Sequence, residues 1–129
     1  MIRLLLDTHV LLWSFYQPER LSLKARAVLE NPENVRLVSA ATAWEIATKL
    51  RLGKLEVARS LVESYHDHLA TFRAAEMPIS SRHSIVAGNF SQSHRDPFDR
   101  LLAAQALIEG VPLVTCDSAL SDFPIQIVW

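Results

Sequence analysis

Cysteine is almost missing from this chain of 129 residues: Cys116 stands alone, so no disulfide can form within it. That excludes a disulfide-stapled scaffold and fits a reducing cytoplasm. Excess charge of either sign is missing too. Thirteen Lys and Arg face fourteen Asp and Glu, a formal net charge of −1. A broadly basic coat is excluded, and any contact with nucleic acid has to come from a local patch. No apolar run approaches the roughly 18 residues that a membrane helix needs. At the start, Asp7 interrupts "MIRLLLDTHVLLW" before a signal-peptide core develops. Internal repeats, low-complexity tracts and linkers are absent. No lysine follows Lys54. A phospho-accepting receiver or an aspartyl phosphatase usually needs a late lysine and a second acid close to the first, whereas here Asp7 is followed by Thr8 and His9.

What is present is a core: 50% of the residues are hydrophobic and 21% charged, the balance of a globular chain. The expectation is one soluble, complete, cytoplasmic domain over residues 1–129 with no membrane partner. Short apolar runs alternate with helical patterns. "IRLLLD", "VRLVS", "MPIS", "VPLVTCD" and "IQIVW" read as strands. "THVLLWSFY", "SLKARAVLEN", "SAATAWEIATKLRLGKL", "VARSLVESYHDHLATFRAA", "SRHSIVAGN" and the run that follows Pro97 read as helices, with "SALSDF" a helical turn. Thr8 and Ser22 are N-cap candidates; Gly53 and Gly110 are fitting helix ends. Strand–helix alternation predicts right-handed crossovers and an α/β fold of three layers, α/β/α, with a central parallel sheet flanked by helices.

That topology says where acids meet. In an open α/β sheet, ligands bind outside the carboxyl ends of the strands, where strand order reverses. Asp7 and Asp117 each close a strand, and in the order 3-2-1-4-5 those strands are neighbours. Crossover helices start at the same edge, which adds Glu45 from the helix after strand two and Asp99 from the helix of "HRDPFDRLLAAQA". Asp7, Glu45, Asp99 and Asp117 are therefore expected to converge as catalytic residues and metal ligands. Asp96, just before Pro97, reads instead as the N-cap of its helix, with proline at the first helical position. Carboxylates this close repel unless a cation sits among them. An all-oxygen set suits a hard ion, Mg²⁺ or Mn²⁺, which can activate water and stabilise charge on a phosphodiester. Thr8, Ser39, Thr115 and Asp96 are candidate supports that orient the acids. Lys49, Arg51 and Lys54 form the best local phosphate-binding patch, and Arg95 and Arg100 flank the acids as further phosphate contacts or as their ion-pair partners.

At these residues the chain resembles the PIN domain family, specifically toxin nucleases of the VapC type. The resemblance rests on "LLLDTHVLLW", "SAATAWEIATKLRLGKL", "HRDPFDRLLAAQA" and "LVTCD", in that order and spanning nearly the whole chain. It implies a metal-dependent endoribonuclease acting on single-stranded RNA or a structured RNA loop, with catalytic roles at Asp7, Glu45, Asp99 and Asp117. Asp99 rather than Asp96 stands at the distance before "LAA" that the family's acid occupies. The resemblance further implies a homodimer and a cognate antitoxin that occludes the acidic groove. A non-catalytic PIN-like module that binds RNA or protein is the alternative, but it predicts loss of the acid quartet. A structure-specific DNA nuclease on this scaffold would need added helical segments for which the chain has no room.

Other features read as structural. "HDH" places His66 and His68 two apart on a helix, where they point in different directions and face solvent. His9 and His94 lie near the expected site, more as polar structure than as substrate contacts. Trp13, Trp44 and Trp129 are expected to pack. Cys116, inside a strand, is expected to be a buried, inert thiol.

Overall fold

The apolar stretch after Ile2 becomes β1 (Arg3–Leu6), whose residues point alternately to two helical layers. Leu4 and Leu6 enter one hydrophobic cluster and Leu5 the other, as the two-residue period of a strand demands. The computed structural model describes residues 1–129. After β1 come α1 (Thr8–Tyr16), α2 (Leu23–Glu30), β2 (Val35–Ser39), α3 (Ala40–Arg51), α4 (Arg59–Glu63) and α5 (Tyr65–Thr71). Then follow β3 (Ala74–Met77), α6 (Ser81–Asn89), α7 (Pro97–Glu109), β4 (Leu113–Val114) and β5 (Ile127–Val128). Short 3₁₀ turns occupy Pro18–Arg20, Glu56–Ala58 and Ser118–Asp122.

The five strands are all parallel, in the order β3-β2-β1-β4-β5, and the architecture is the expected three-layer α/β/α. On one face Leu4, Leu6, Val38 and Val114 meet Val10 and Leu11 of α1, Leu29 of α2, Ile46 of α3, Leu61 of α4 and Leu69 of α5. On the other, Leu5, Leu37 and Leu113 meet Leu102, Ala103 and Ala106 of α7, with Leu120 and Phe123. The strand order reverses at β1, which pairs with β2 on one side and β4 on the other. Leu6 lies opposite Val114, so Asp7 and Thr115 leave the sheet side by side.

Helix ends follow the capping chemistry of the sequence except at α1, where Thr8 is the first helical residue and not the cap, and Asp7 in the cap position makes no side-chain cap bond. The side chains of Ser22, Ser39, Ser80 and Asp96 each accept a backbone N–H of the first turn. Gly110 ends α7 at φ +64°, a left-handed conformation that a side chain would strain.

Three further expectations are corrected. The long helix anticipated over 57–75 is a 3₁₀ turn and two short helices that break at Ser64, φ −135°. Ser64 Oγ donates to the Ser60 carbonyl, which the Ser64 N–H also reaches at 3.2 Å, a back-bonding pattern that bends helices. Arg73, at φ +57°, then turns the chain into β3. That strand is Ala74–Met77 rather than "MPIS". Ala74 pairs with Arg36 and Met77 with Ser39, and the exposure of Ala75 and Glu76 removes the apolar signature that a sequence reading looks for. Finally, β4 is only Leu113–Val114, so Cys116 lies beyond the strand and is exposed, not buried.

Candidate active site

Asp7 is the residue at which β1 gives way to α1. It is 4% exposed, and Thr115 Oγ1, arriving from β4, donates to its Oδ2 at 2.7 Å. The Asp117 N–H in turn donates to the same threonine oxygen at 3.0 Å, fixing its hydroxyl. Thr8 adds a second tie: its Oγ1 is 3.0 Å from that of Thr42 on α3, linking the starts of two helices beneath the site. Ser39 is fully buried, and its oxygen accepts the Ala41 N–H at 3.0 Å, which sets the direction in which α3 leaves β2.

Glu45 sits one turn into α3, 3% exposed. Its Oε2 takes Lys49 Nζ at 2.6 Å, while its Oε1 is buried with no hydrogen-bond partner. Asp99 lies in the first turn of α7, 9% exposed, with His94 Nε2 at 2.8 Å from Oδ2. Asp96 does what its position before Pro97 predicts: Oδ1 accepts the N–H of Phe98 at 2.9 Å and that of Asp99 at 3.3 Å.

These acids feel one another. Burial is the main reason that Asp99 is pushed up to about 6. Asp96, Asp7 and Glu45 push in the same direction, and the His94 hydrogen bond opposes them. Asp7 is also raised, chiefly by burial and further by Glu45, against the opposing pull of the Thr115 hydrogen bond and of His9. Three of the four expected carboxylates therefore share one buried patch. Asp117 stands apart at the rim, exposed, its carboxylate accepting the Ala119 N–H at 2.9 Å as cap of the following 3₁₀ turn. Because β4 stops at Val114, Asp117 stands three residues beyond the strand rather than at its end.

No three of the His, Cys, Asp and Glu side chains stand in ready-made chelating geometry. Each acid instead leans on a donor of its own: Thr115 for Asp7, Lys49 for Glu45, His94 for Asp99. The donor set nonetheless fits a hard divalent ion. It is all carboxylate oxygen, it is desolvated, and the orphaned Glu45 Oε1 is a buried anionic oxygen that nothing in the chain satisfies.

The basic residues divide. Lys54, Arg51 and Arg95 are exposed, and Lys49 is bound to Glu45 yet partly open to solvent. Arg100, expected to touch phosphate or an acid, is corrected. Its guanidinium donates to the carbonyls of Ala87, Phe90, Gln92 and His94 at 2.8–2.9 Å and pins the segment before α7. Its donors are spent on backbone.

His94 and Thr42 gain weight that sequence reasoning did not assign them. Thr42 stands three residues before Glu45 on one helix, and so on the same face. His94 was expected near the site, but its hydrogen bond to Asp99 was not, because that approach depends on the turn that Arg100 holds. His66 is exposed as expected, whereas His68 packs its ring edge on Phe15.

The chain matches the PIN domain family over residues 4–125. Ribonuclease VapC22 of Mycobacterium tuberculosis (strain ATCC 25618 / H37Rv) is 30% identical over 124 residues, 93% of this chain and 91% of that protein. Among solved structures, VapBC2 from Rickettsia felis bound to a DNA fragment from their promoter is similar with a TM-score of 0.68. The identity there is 15%, covering 98% of this chain and 97% of that one. VapBC-1 from nontypeable Haemophilus influenzae is similar at TM-score 0.63 and 17% identity, covering 98% and 96%. At those identities the two structures speak for the fold, while the family match and the mycobacterial relative speak for descent. With its acids at the switch point of a five-stranded parallel sheet, this chain belongs to the PIN domain family.

Proposed function

We propose that this protein is a divalent-metal-dependent endoribonuclease that hydrolyses single-stranded RNA, and that it is the toxin of a toxin–antitoxin pair. The observation that carries the reading is the buried trio Asp7, Glu45 and Asp99, two of them with raised pKa values and the third with an unpartnered carboxylate oxygen. Asp7, Glu45 and Asp99 would hold Mg²⁺ or Mn²⁺, with Asp117 joining from the rim. Bound there, the ion supplies charge neutralisation and Lewis-acid polarisation at a phosphodiester.

The chain's own residues supply the rest. Thr115 orients Asp7 through its Oδ2. Lys49 and His94 hold Glu45 and Asp99 against mutual repulsion, and both are cationic or proton-bearing groups beside an anionic substrate. Exposed Lys54, Arg51 and Arg95 offer the local positive charge that an overall charge of −1 does not.

The ribonuclease reading draws support from the mycobacterial relative. The partner reading draws on neighbours that are VapBC assemblies. An antitoxin covering the acidic groove, and a homodimer of this chain, belong to the same proposal. A cytoplasmic location agrees with the absence of any helix long and apolar enough to cross a membrane.

The decisive experiment incubates the purified chain with labelled single-stranded RNA in Mg²⁺, in Mn²⁺ and in excess EDTA. Cleavage in the first two and none in the third is expected. Cleavage that persists in EDTA removes the metal from the mechanism. Binding without cleavage under every condition turns the reading to the non-catalytic module.

A further inference from the structure

Beside the acidic trio lies a cavity of about 590 Å³ between α1, the Pro18–Arg20 turn and the end of α3. Its charge is the reverse of the site it adjoins. Arg20, Lys49, Lys54 and His9 line it, and no carboxylate does. Its floor is aromatic: the Arg20 guanidinium lies 4.5 Å from the centre of the Trp13 ring, which also leans on His9 at 5.9 Å and on Trp129 at 6.0 Å.

Two residues of its lining interact with the acids. Lys49 belongs to its wall and also grips Glu45. His9, on its wall, stands two residues from Asp7 and close enough for its charge to act on that carboxylate. The cavity beside His83 contrasts with it, having two carboxylates, Glu76 and Glu109, beside Arg3 in its lining.

A stacked Arg–Trp floor, a rim of flexible ammonium groups and a volume within the range of small-ligand sites suit a nucleotide. An aromatic face or a guanidinium plane accepts any base once it is unstacked, while lysine takes the phosphate as a point charge. A base held in a duplex cannot enter such a cavity. We infer that this cavity is the subsite for one unpaired RNA nucleotide adjoining the scissile phosphate, its base against Trp13 and Arg20 and its phosphate on Lys54 and Lys49. The inference rests on the ribonuclease reading above and deepens it: selection for single-stranded RNA is made here, not at the acids.

The test uses short single-stranded RNA carrying one abasic nucleotide, placed in turn at each position around the cleaved bond. In the unmodified protein one adjacent position loses about tenfold or more in kcat/KM, the order expected for one stacked base. Trp13→Ala and Arg20→Gln raise KM on the intact RNA with little change in kcat, and they abolish the penalty at that position. Lys54→Gln raises KM and flattens its salt dependence. Lys54 is exposed, so this variant keeps the test readable if Trp13→Ala fails to fold. An abasic penalty of equal size in Arg20→Gln and in the unmodified protein overturns the proposal, as does the lack of any sensitive position.

Fluorescence polarisation of the same RNA in EDTA separates the two readings. Binding that depends on Arg20 and Lys54 without any cleavage keeps the subsite and removes the nuclease. Cleavage with binding indifferent to both residues keeps the nuclease and removes the subsite. If these variants lose affinity for the antitoxin protein but not for RNA, the cavity docks protein and the proposal fails.

Discussion

Where α6 meets α7, buried ionisable groups are engaged on every side; where β1 and β4 end, they are crowded together with like charges opposed. At the α6–α7 junction His83 is 4% exposed, its Nδ1 accepting the Ser80 N–H and its Nε2 therefore carrying the proton donated to Glu109 at 3.0 Å. Arg100 closes the same region by donating to a row of carbonyls. At the strand ends, Asp7 and Glu45 raise the proton affinity of Asp99, Glu45 raises that of Asp7, and one Glu45 oxygen lies without a partner. Both regions bury polar groups. Gln105 on α7 also keeps one amide oxygen without a partner, but only the strand ends leave a buried carboxylate oxygen unpaired among like charges, and unsatisfied buried charge of this kind is characteristic of sites that bind or react.

The sharpest way to break this contrast is Asp99→Asn. Its expected loss in RNA cleavage is about a thousandfold, the effect of removing about 4 kcal/mol of electrostatic stabilisation. The fold should persist, because a buried charge is removed while the amide keeps an oxygen that can still accept from His94; cleavage assays paired with circular dichroism check both halves. Retained activity would show that the crowded acids are not the reactive ones.

Next in size is Arg100→Ala at the satisfied region. It leaves several carbonyls without donors and should cost about 3 kcal/mol, read as a lower urea midpoint at unchanged slope. A loss below about 0.5 kcal/mol would mean that water replaces the guanidinium, at the level of an ordinary surface change.

A subtler measurement compares Asp99→Asn with the unmodified, metal-stripped protein across pH. Asp99 is pushed up to about 6 in the folded state, above its ordinary value of 3.8. Between those values the folded state holds the proton more tightly, so its ionisation destabilises the fold as pH rises and the cost is fully present at neutrality. The variant's gain in melting temperature should therefore be larger at pH 7 than at pH 4.5. A gain independent of pH would show that burial does not penalise the Asp99 charge. The smallest effect belongs to its neighbour: Asp96→Ala removes an N-cap and should cost about 1 kcal/mol with cleavage largely kept.

The strand–helix alternation and the parallel sheet were legible because single-period runs such as "RLLL" and "VRLVS" have few alternative folds, and the strand order is the common doubly wound one supposed for them. Asp7, Glu45 and Asp99 were legible for the same reason: each stands at a fixed step from the end of a strand or the start of a helix, and local periodicity carries that far. Asp96 announced itself by the proline after it. Ser64 did not, since a serine that breaks a helix and one that decorates it look alike until the chain must turn back to pair β3 with β2. The rim position of Asp117, the exposure of Cys116, the turn of Arg100 toward carbonyls and the approach of His94 to Asp99 depend on where loops close. Sequence by itself determined which acids could reach the sheet's carboxyl edge, because main-chain geometry sets the direction of each element. Tertiary structure alone decided which of them are desolvated together and which donor answers each one, because burial and charge proximity arise only when distant segments pack.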